Sequence, residues 1–186
     1  MTTELKFNER KATEAASMLL KLKGGRSDYW WIIKMLYLVD REAFQEWERP
    51  ITNDLYESWK YGPVPKSIYN IINKNNQSPF WKTYIVTLSK NSEVMLTGSP
   101  APIKKLSKAE TDLIKSVFDK FGQLDGKQLV EYTHTLPEWK DPKKVGSITP
   151  IETADLLSVL DYSSDDIERI SLEIEDEEEL NRILGD

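Results

Sequence analysis

The apolar residues of this chain recur mostly at the spacing of an α-helix, which predicts a mainly helical protein. A first helix should begin after Asn8, whose side chain can cap it, and should end at Gly24–Gly25. A second should run from about residue 28 to residue 47, because DYWWIIKMLYLVDREAFQEW is apolar nearly all the way round. We therefore expect this second helix at the centre of the hydrophobic core.

The apolar centre of the predicted core helix has four polar exceptions, which are Lys34, Tyr37, Asp40 and Arg41. Lys34 and Arg41 can reach solvent while their aliphatic stems pack. Asp40 can instead accept hydrogen bonds from the loop that follows, since a buried carboxylate without partners is strongly unfavourable. The consecutive Trp30 and Trp31 point about 100° apart on a helix, so one of them should lie near the surface as a candidate interface anchor.

The core helix is followed by ERPITNDLYESWKYGPVPKS, which contains several proline, glycine, asparagine and aspartate residues. These residue types interrupt regular elements, so the stretch predicts a long connection. A short helix over about 54–59 and another beginning near Pro65 or Lys66 fit this stretch, because proline suits the first helical position. The period then switches to that of strands over about 83–88 and 93–96, with SKNS as a hairpin loop between them.

The last third of the chain returns to helical patterns. Ser107 and Glu110 have the spacing of a capping box for a helix that ends at Gly122. A shorter helix over about 125–132, one from Thr149 through Leu160, and a final acidic helix capped by Ser163 or Ser164 follow. The predicted fold class is mainly α with one small β-hairpin, divided into a domain over 1–147 and an acidic helical extension over 148–186 that packs on the domain or on a partner.

Charge distribution narrows the class of partner. Residues 147–186 hold 13 acidic and two basic residues, a net −11, so the rest carries +5 of the total of −6. This is not the strongly basic face of a DNA-binding domain, and no segment approaches the roughly 18 apolar residues of a membrane span. With no cysteine and no apolar leader at the N-terminus, we expect a cytoplasmic protein that binds neither membrane nor nucleic acid.

Absent motifs argue against catalysis. The chain has no cysteine and one histidine, and it lacks the phosphate-binding, dinucleotide-binding, zinc-protease and serine-hydrolase motifs. We therefore expect no enzyme, no cofactor and no metal. The alternative from the enzyme class is a polar site built from Lys34, Asp40, Tyr61 and His134, although no spacing nominates a nucleophile.

Three spaced runs carry a resemblance to a known family. The first is a run of the type K-x-L-Y-x-x-D-R. The second is an R-P-I-T-G-D segment, which Y-G-P-V follows. The third, later in the chain, combines an L-S-x-x-E pattern with a T-H-x-x-x-P-W pattern. Between about Arg10 and Lys144 the chain resembles the SocA-like, or Panacea, antitoxin domain, which includes phage-associated GepA-like proteins. The matching positions, called signature residues below, are Lys34, Leu36, Tyr37, Asp40, Arg41, Arg49, Pro50, Ile51, Thr52, Asp54, Tyr61, Gly62, Pro63, Val64, Leu106, Ser107, Glu110, Thr133, His134, Pro137 and Trp139. Asn53 replaces the usual glycine, and Asp125-Gly126 replaces the usual cap of the short helix.

The resemblance implies an antitoxin of a type II toxin–antitoxin system with a role in phage defence. It would neutralise a toxin encoded by a neighbouring gene, one that attacks translation, by direct protein binding. An adaptor that delivers its partner to a protease is an alternative, and transcriptional autoregulation is a weaker one. The candidate toxin contacts are Lys34, Tyr37, Asp40, Arg41, Pro50, Thr52, Asp54, Tyr61, Gly62, Pro63, Val64, His134, Pro137 and Trp139.

Three features keep more than one interpretation. The rigid Tyr61–Val64 turn is scaffold first and toxin contact second, because glycine and proline fix its backbone. His134 is more typical of a side chain that ties two backbone segments together than of a catalyst. The acidic C-terminus is either a solvated helix face or a clamp over a basic toxin.

Overall fold

The computed structural model describes residues 6–73, 78–88 and 93–184. The predicted SKNS loop, residues 89–92, lies outside them. The helices are α1 (Glu9–Lys23), α2 (Tyr29–Trp47), α3 (Lys66–Asn73), α4 (Pro79–Tyr84), α5 (Lys108–Phe121), α6 (Gly126–Thr133), α7 (Pro142–Val145), α8 (Thr153–Val159) and α9 (Ser164–Leu184). The strands are β1 (Arg26–Asp28), β2 (Tyr56–Trp59), β3 (Gly62–Pro65), β4 (Ile85–Thr87), β5 (Glu93–Leu96) and β6 (Thr149–Ile151).

Helix α2 forms the centre of the core, as predicted. Every residue from Trp31 to Asp40 is buried, and α1, α5 and α6 pack around the helix. Asp28 begins α2 by accepting a hydrogen bond from the Trp31 backbone N–H at 2.9 Å. The small side chains Ala12, Ala15 and Ala16 are completely buried on α1, which allows close approach of the two helices.

The sheet content corrects the predicted fold class. Instead of one small hairpin, the described residues form two three-stranded antiparallel sheets, ordered β1-β5-β4 and β3-β2-β6. The predicted β4–β5 pairing is present. The additional strands are only three or four residues long, too short to show an alternating pattern. Strands β1 and β6 pair with distant strands, whereas β2 and β3 form a local hairpin.

Three local predictions were wrong in the type of element or in its bounds. The stretch predicted as a helix over 54–59 contains strand β2, which pairs with β3 across a turn at Lys60 and Tyr61. The strand predicted over 83–88 begins only after α4 ends at Tyr84. Thr149 starts strand β6 rather than a helix, and α8 follows it.

The acidic C-terminal helix α9 packs through its first half. Ile170 and Ile174 are buried, whereas Leu180 and Ile183 are 54% and 71% exposed. Ion pairs connect Arg169 to Glu48 at 2.8 Å and Glu177 to Arg49 at 3.3 Å. Whether residues 1–147 form a domain separate from 148–186 stays a prediction. None of the helices in the described ranges has the length and apolarity that a membrane crossing requires.

Candidate interaction site

Asp40 fastens the segment after α2 to the core, as the sequence predicted. Its carboxylate accepts hydrogen bonds from the backbone N–H groups of Ile51 at 2.8 Å and Thr52 at 3.0 Å. It also accepts from the Thr52 hydroxyl and from the Tyr56 hydroxyl at 2.8 Å. Burial raises the pKa of Asp40, and these donors oppose that shift. One side chain thus holds both the R-P-I-T segment and strand β2.

Tyr37 and Arg41, one helical turn apart on α2, share a single acid. The Tyr37 hydroxyl donates to Glu138 Oε1 at 2.7 Å, and Arg41 Nε donates to the same oxygen at 2.7 Å. The Glu138 side chain is completely buried, and that of Arg41 is 18% exposed. Sequence reasoning missed Glu138. The available signal was the i, i+4 spacing of Tyr37 and Arg41, which lets two donors on one helix face meet one acceptor.

Asp54 joins the same segment to α3. Its carboxylate accepts from the backbone N–H groups of Ser67 at 2.8 Å and Ile68 at 2.9 Å, which are the first donors of that helix. It also accepts from Leu55 N–H at 2.8 Å. Burial raises the pKa of Asp54 to about 6 against the opposing effect of these donors. The neighbouring Asn53 has φ of 53°, the left-handed conformation in which asparagine can replace glycine.

Lys34 is buried, which contradicts the expectation that its amine reaches solvent. Its Nζ donates to the Pro63 carbonyl at 2.6 Å and lies 5.1 Å from the centre of the Trp30 ring. Burial lowers the pKa of Lys34 well below its ordinary value. Gly62 lies directly over this site: a Cβ there would be 2.6 Å from Thr133 Oγ1 and 3.2 Å from Lys34 Nζ. Only glycine fits at this point, where the β2–β3 turn passes close to the side chains of Thr133 and Lys34.

His134 and Trp139 also hold the β2–β3 hairpin. His134 Nε2 lies 3.1 Å from the Lys60 carbonyl oxygen, and Trp139 Nε1 donates to the Trp59 carbonyl at 2.8 Å. Their rings stack with centroids 4.1 Å apart. The prediction that His134 orders a loop is confirmed. Burial lowers the pKa of His134, so the ring is predominantly neutral at pH 7.

The signature residues therefore make mostly internal contacts, some with one another and others with residues outside the signature, such as Tyr56 and Glu138. Among the candidate toxin contacts, the buried ones are Lys34, Tyr37, Asp40, Pro50, Thr52, Asp54, Gly62, Pro63 and Val64. Arg41, His134 and Trp139 are half-buried, and Tyr61 and Pro137 are exposed. Whether any of them contacts a toxin stays a prediction, but only the second group presents surface to a partner.

Three polar residues of the enzyme alternative each bond to a different internal partner. Asp40 is committed to Thr52 and Tyr56, Lys34 to Pro63, and His134 to Lys60. No cluster of three or more His, Asp or Glu side chains in the described ranges could hold a metal ion.

A cleft of about 450 Å³ lies between the R-P-I-T segment and α9. Its lining includes Arg49, Ile51, Asn53, Lys105 and Ile174. Two ion pairs among the lining residues, Lys11–Glu110 at 2.6 Å and Arg49–Glu177 at 3.3 Å, neutralise much of its charge. The cleft thus joins the signature segment to the acidic helix without concentrating either sign of charge.

A family model described as Antitoxin SocA-like, Panacea domain, matches residues 32–140. The match covers more than half of the chain and extends from α2 to the residue after Trp139. The protein belongs to this SocA-like, Panacea-domain family, which confirms the resemblance carried by the spaced runs. No curated protein and no solved structure matches the chain.

Proposed function

We propose that this protein is the antitoxin of a type II toxin–antitoxin system and neutralises its toxin by direct, stoichiometric binding. The toxin would be a cytoplasmic protein encoded by a neighbouring gene, with translation as its target. Membership of the SocA-like, Panacea-domain family is the observation that carries this proposal.

The arrangement of the signature residues supports binding rather than catalysis. Several of their polar groups are engaged in internal hydrogen bonds, such as Asp40 with the backbone N–H groups of Ile51 and Thr52, and Tyr37 and Arg41 with Glu138. A catalytic acid or base must instead reach a substrate proton within hydrogen-bond distance. These residues therefore hold a rigid frame, and a rigid frame lowers the entropy that is lost on binding a partner.

Co-expression with the neighbouring gene tests the proposal. The neighbour alone should arrest growth, and this protein should restore growth and co-purify with it. Titration of the purified pair should abolish toxin activity at a fixed molar ratio. A non-toxic neighbour, or toxicity that this protein leaves unchanged, would overturn the proposal.

A matched variant separates binding from an enzymatic mechanism. His134→Ala removes the one histidine and leaves Asp40 and Lys34 in place. If the protein stays folded, protection should persist and still require a stoichiometric amount of antitoxin. Protection at a small fraction of the toxin concentration, lost in His134→Ala, would instead indicate turnover by an enzyme.

A further inference from the structure

Five aromatic residues, Tyr29, Trp30, Trp59, Tyr61 and Tyr69, form a continuous partly exposed surface, called the aromatic face below. Trp30 contacts three of the others, with ring centroids 4.7 Å from Tyr29, 5.3 Å from Tyr61 and 6.5 Å from Tyr69. Trp59 completes the series at 4.6 Å from Tyr69. Residues from the start of α2, the β2–β3 hairpin and α3 thus meet at one place.

The aromatic face is firmly supported from below. Trp139 donates to the Trp59 carbonyl and His134 contacts the Lys60 carbonyl, so the backbone at the tip of the hairpin is held in place. Lys34 is anchored beneath Trp30 through the Pro63 carbonyl. A backbone held in this way does not have to be ordered when a partner covers the rings, which favours these residues as binding anchors.

The exposed part of the aromatic face carries unused hydrogen-bonding groups. Tyr61 is 44% exposed, and among the described residues no hydrogen bond engages the hydroxyl of Tyr29, Tyr61 or Tyr69. Burial, together with the nearby Tyr69, Tyr61 and Asp28, raises the pKa of Tyr29. The Tyr29 phenol therefore stays protonated, and the hydroxyls of all three tyrosines are available as hydrogen-bond donors.

The charge at the aromatic face is positive. The exposed Lys60 amine lies 5.1 Å from the centre of the Tyr61 ring, and no described carboxylate forms an ion pair with it. Two acids on the elements that form this surface are already engaged: Asp28 caps α2, and Glu57 accepts from Trp59 Nε1 and pairs with Lys66. A partner that complements this surface should place a carboxylate at Lys60 and the tyrosine hydroxyls, with an apolar or aromatic side chain against the rings.

Resting on the proposed function, we propose that the toxin docks on the aromatic face through a segment that carries an apolar or aromatic side chain beside a carboxylate. Tyr61 and Trp30 supply the contact area, and Lys60 pairs with the acid. Partly exposed Trp and Tyr residues gathered around a rigid turn are the composition that dominates binding energy at protein interfaces.

The exposed end of α9 is the rival surface. Its apolar side chains Leu180, Ile183 and Leu184 are more than half exposed and stand among acidic residues, so a toxin bound there would present a basic surface. The two surfaces therefore predict opposite charge on the toxin, and variants of the full chain can separate them.

The test measures affinity for the purified product of the neighbouring gene by titration calorimetry. Tyr61→Ala should weaken binding by at least about tenfold, and Lys60→Glu by about tenfold with a reduced dependence on salt. The two matched controls are Trp47→Ala, at an exposed tryptophan outside the aromatic face, and Leu180→Ala, on α9. Both should bind like the wild type. Thermal unfolding of each variant confirms that it is folded.

Each other outcome has a distinct meaning. If the wild type does not bind the neighbour's product, the proposed function fails. If the wild type binds and Tyr61→Ala and Lys60→Glu bind equally well, only the docking surface is overturned. Loss of binding in Leu180→Ala alone assigns the toxin to α9. Binding of a short single-stranded RNA that Tyr61→Ala abolishes, with toxin binding unchanged, would assign the aromatic face to nucleic acid and overturn the proposal.

Discussion

The two ends of α2 use the same family signature in different ways. Near the C-terminal end, Asp40 holds the R-P-I-T segment and β2 through four hydrogen bonds, all of them buried. Near the N-terminal end, Trp30 and Lys34 support a hairpin whose tip, Tyr61, is exposed. The family signature therefore includes residues that support the fold internally at one end of α2, and residues that hold an exposed surface at the other end.

The buried charges at the two ends also differ in how well they are compensated. Asp40 has four donors, whereas Lys34 has one acceptor, the Pro63 carbonyl, and an aromatic ring. A buried charge with several partners is costly to remove, because its partners are left without hydrogen bonds. The stability of the frame should therefore depend more strongly on the Asp40 end than on the surface it supports.

The largest expected effect is that of Asp40→Ala, which leaves four buried donors without an acceptor. We expect the free energy of unfolding, measured by urea denaturation, to fall by about 3–5 kcal/mol. Asp119→Ala, an exposed aspartate on α5, is the control and should change stability by less than about 0.5 kcal/mol. Equal losses in the two variants would contradict the assigned role of Asp40.

The pH dependence of Asp54 gives the next largest effect. Its folded pKa of about 6 lies above the ordinary 3.8, so the folded protein binds this proton more tightly than the unfolded chain. That contribution is fully present below about pH 4 and is lost as the pH rises through about 6. Relative to Asp54→Asn, the wild type should lose up to about 3 kcal/mol of unfolding free energy between pH 4 and pH 7. A constant difference across this range would show that the carboxyl titrates normally.

Gly62→Ala tests the close crossing over Lys34. With φ of 93° and Thr133 Oγ1 at 2.6 Å from the new Cβ, we expect a loss of about 1–3 kcal/mol. Gly146→Ala is a matched control, because its φ is 85° but nothing lies within 4 Å. If thermal unfolding shows the same loss of stability in both variants, backbone strain alone accounts for the effect. The close approach of Gly62 to Thr133 and Lys34 then contributes nothing.

The smallest effect compares two tyrosine hydroxyls. Tyr56→Phe removes a donor to Asp40 and should destabilise the protein by about 1 kcal/mol. Tyr61→Phe removes a hydroxyl with no described partner and should change stability by less than about 0.3 kcal/mol. The midpoints of urea unfolding, measured for both variants under the same conditions, test this difference. A larger loss of stability in Tyr61→Phe than in Tyr56→Phe would contradict the proposed difference between the two ends of α2.

Much of the helical frame could be predicted because its signals are local. The caps Asn8, Ser107 and Asp125 each bond to a backbone N–H within the next three residues, so their spacing is visible in the chain. Asp40 could be predicted as an acceptor because a carboxylate in an apolar helix requires partners. Trp31 is buried and Trp30 half-buried, which follows from their angular separation.

The remainder depends on contacts between distant residues. Strand β6 exists because Tyr56 and Ser58 pair with Ile151 and Thr149, and three residues show no period by themselves. Glu138 binds residues about a hundred positions earlier in the chain. The aromatic face brings α2, the β2–β3 hairpin and α3 together. Nothing in the spacing of these residues along the chain predicts that meeting.

Strand β6 lies beyond residue 140, where the family match ends, yet it pairs with the central strand β2 of the hairpin sheet. A protein shortened to the matched region would leave one side of β2 with free N–H and C=O groups. Such a side is a template for another strand, so the shortened protein should be prone to self-association. Expression trials that follow the family boundary should therefore retain the chain at least through Ile151.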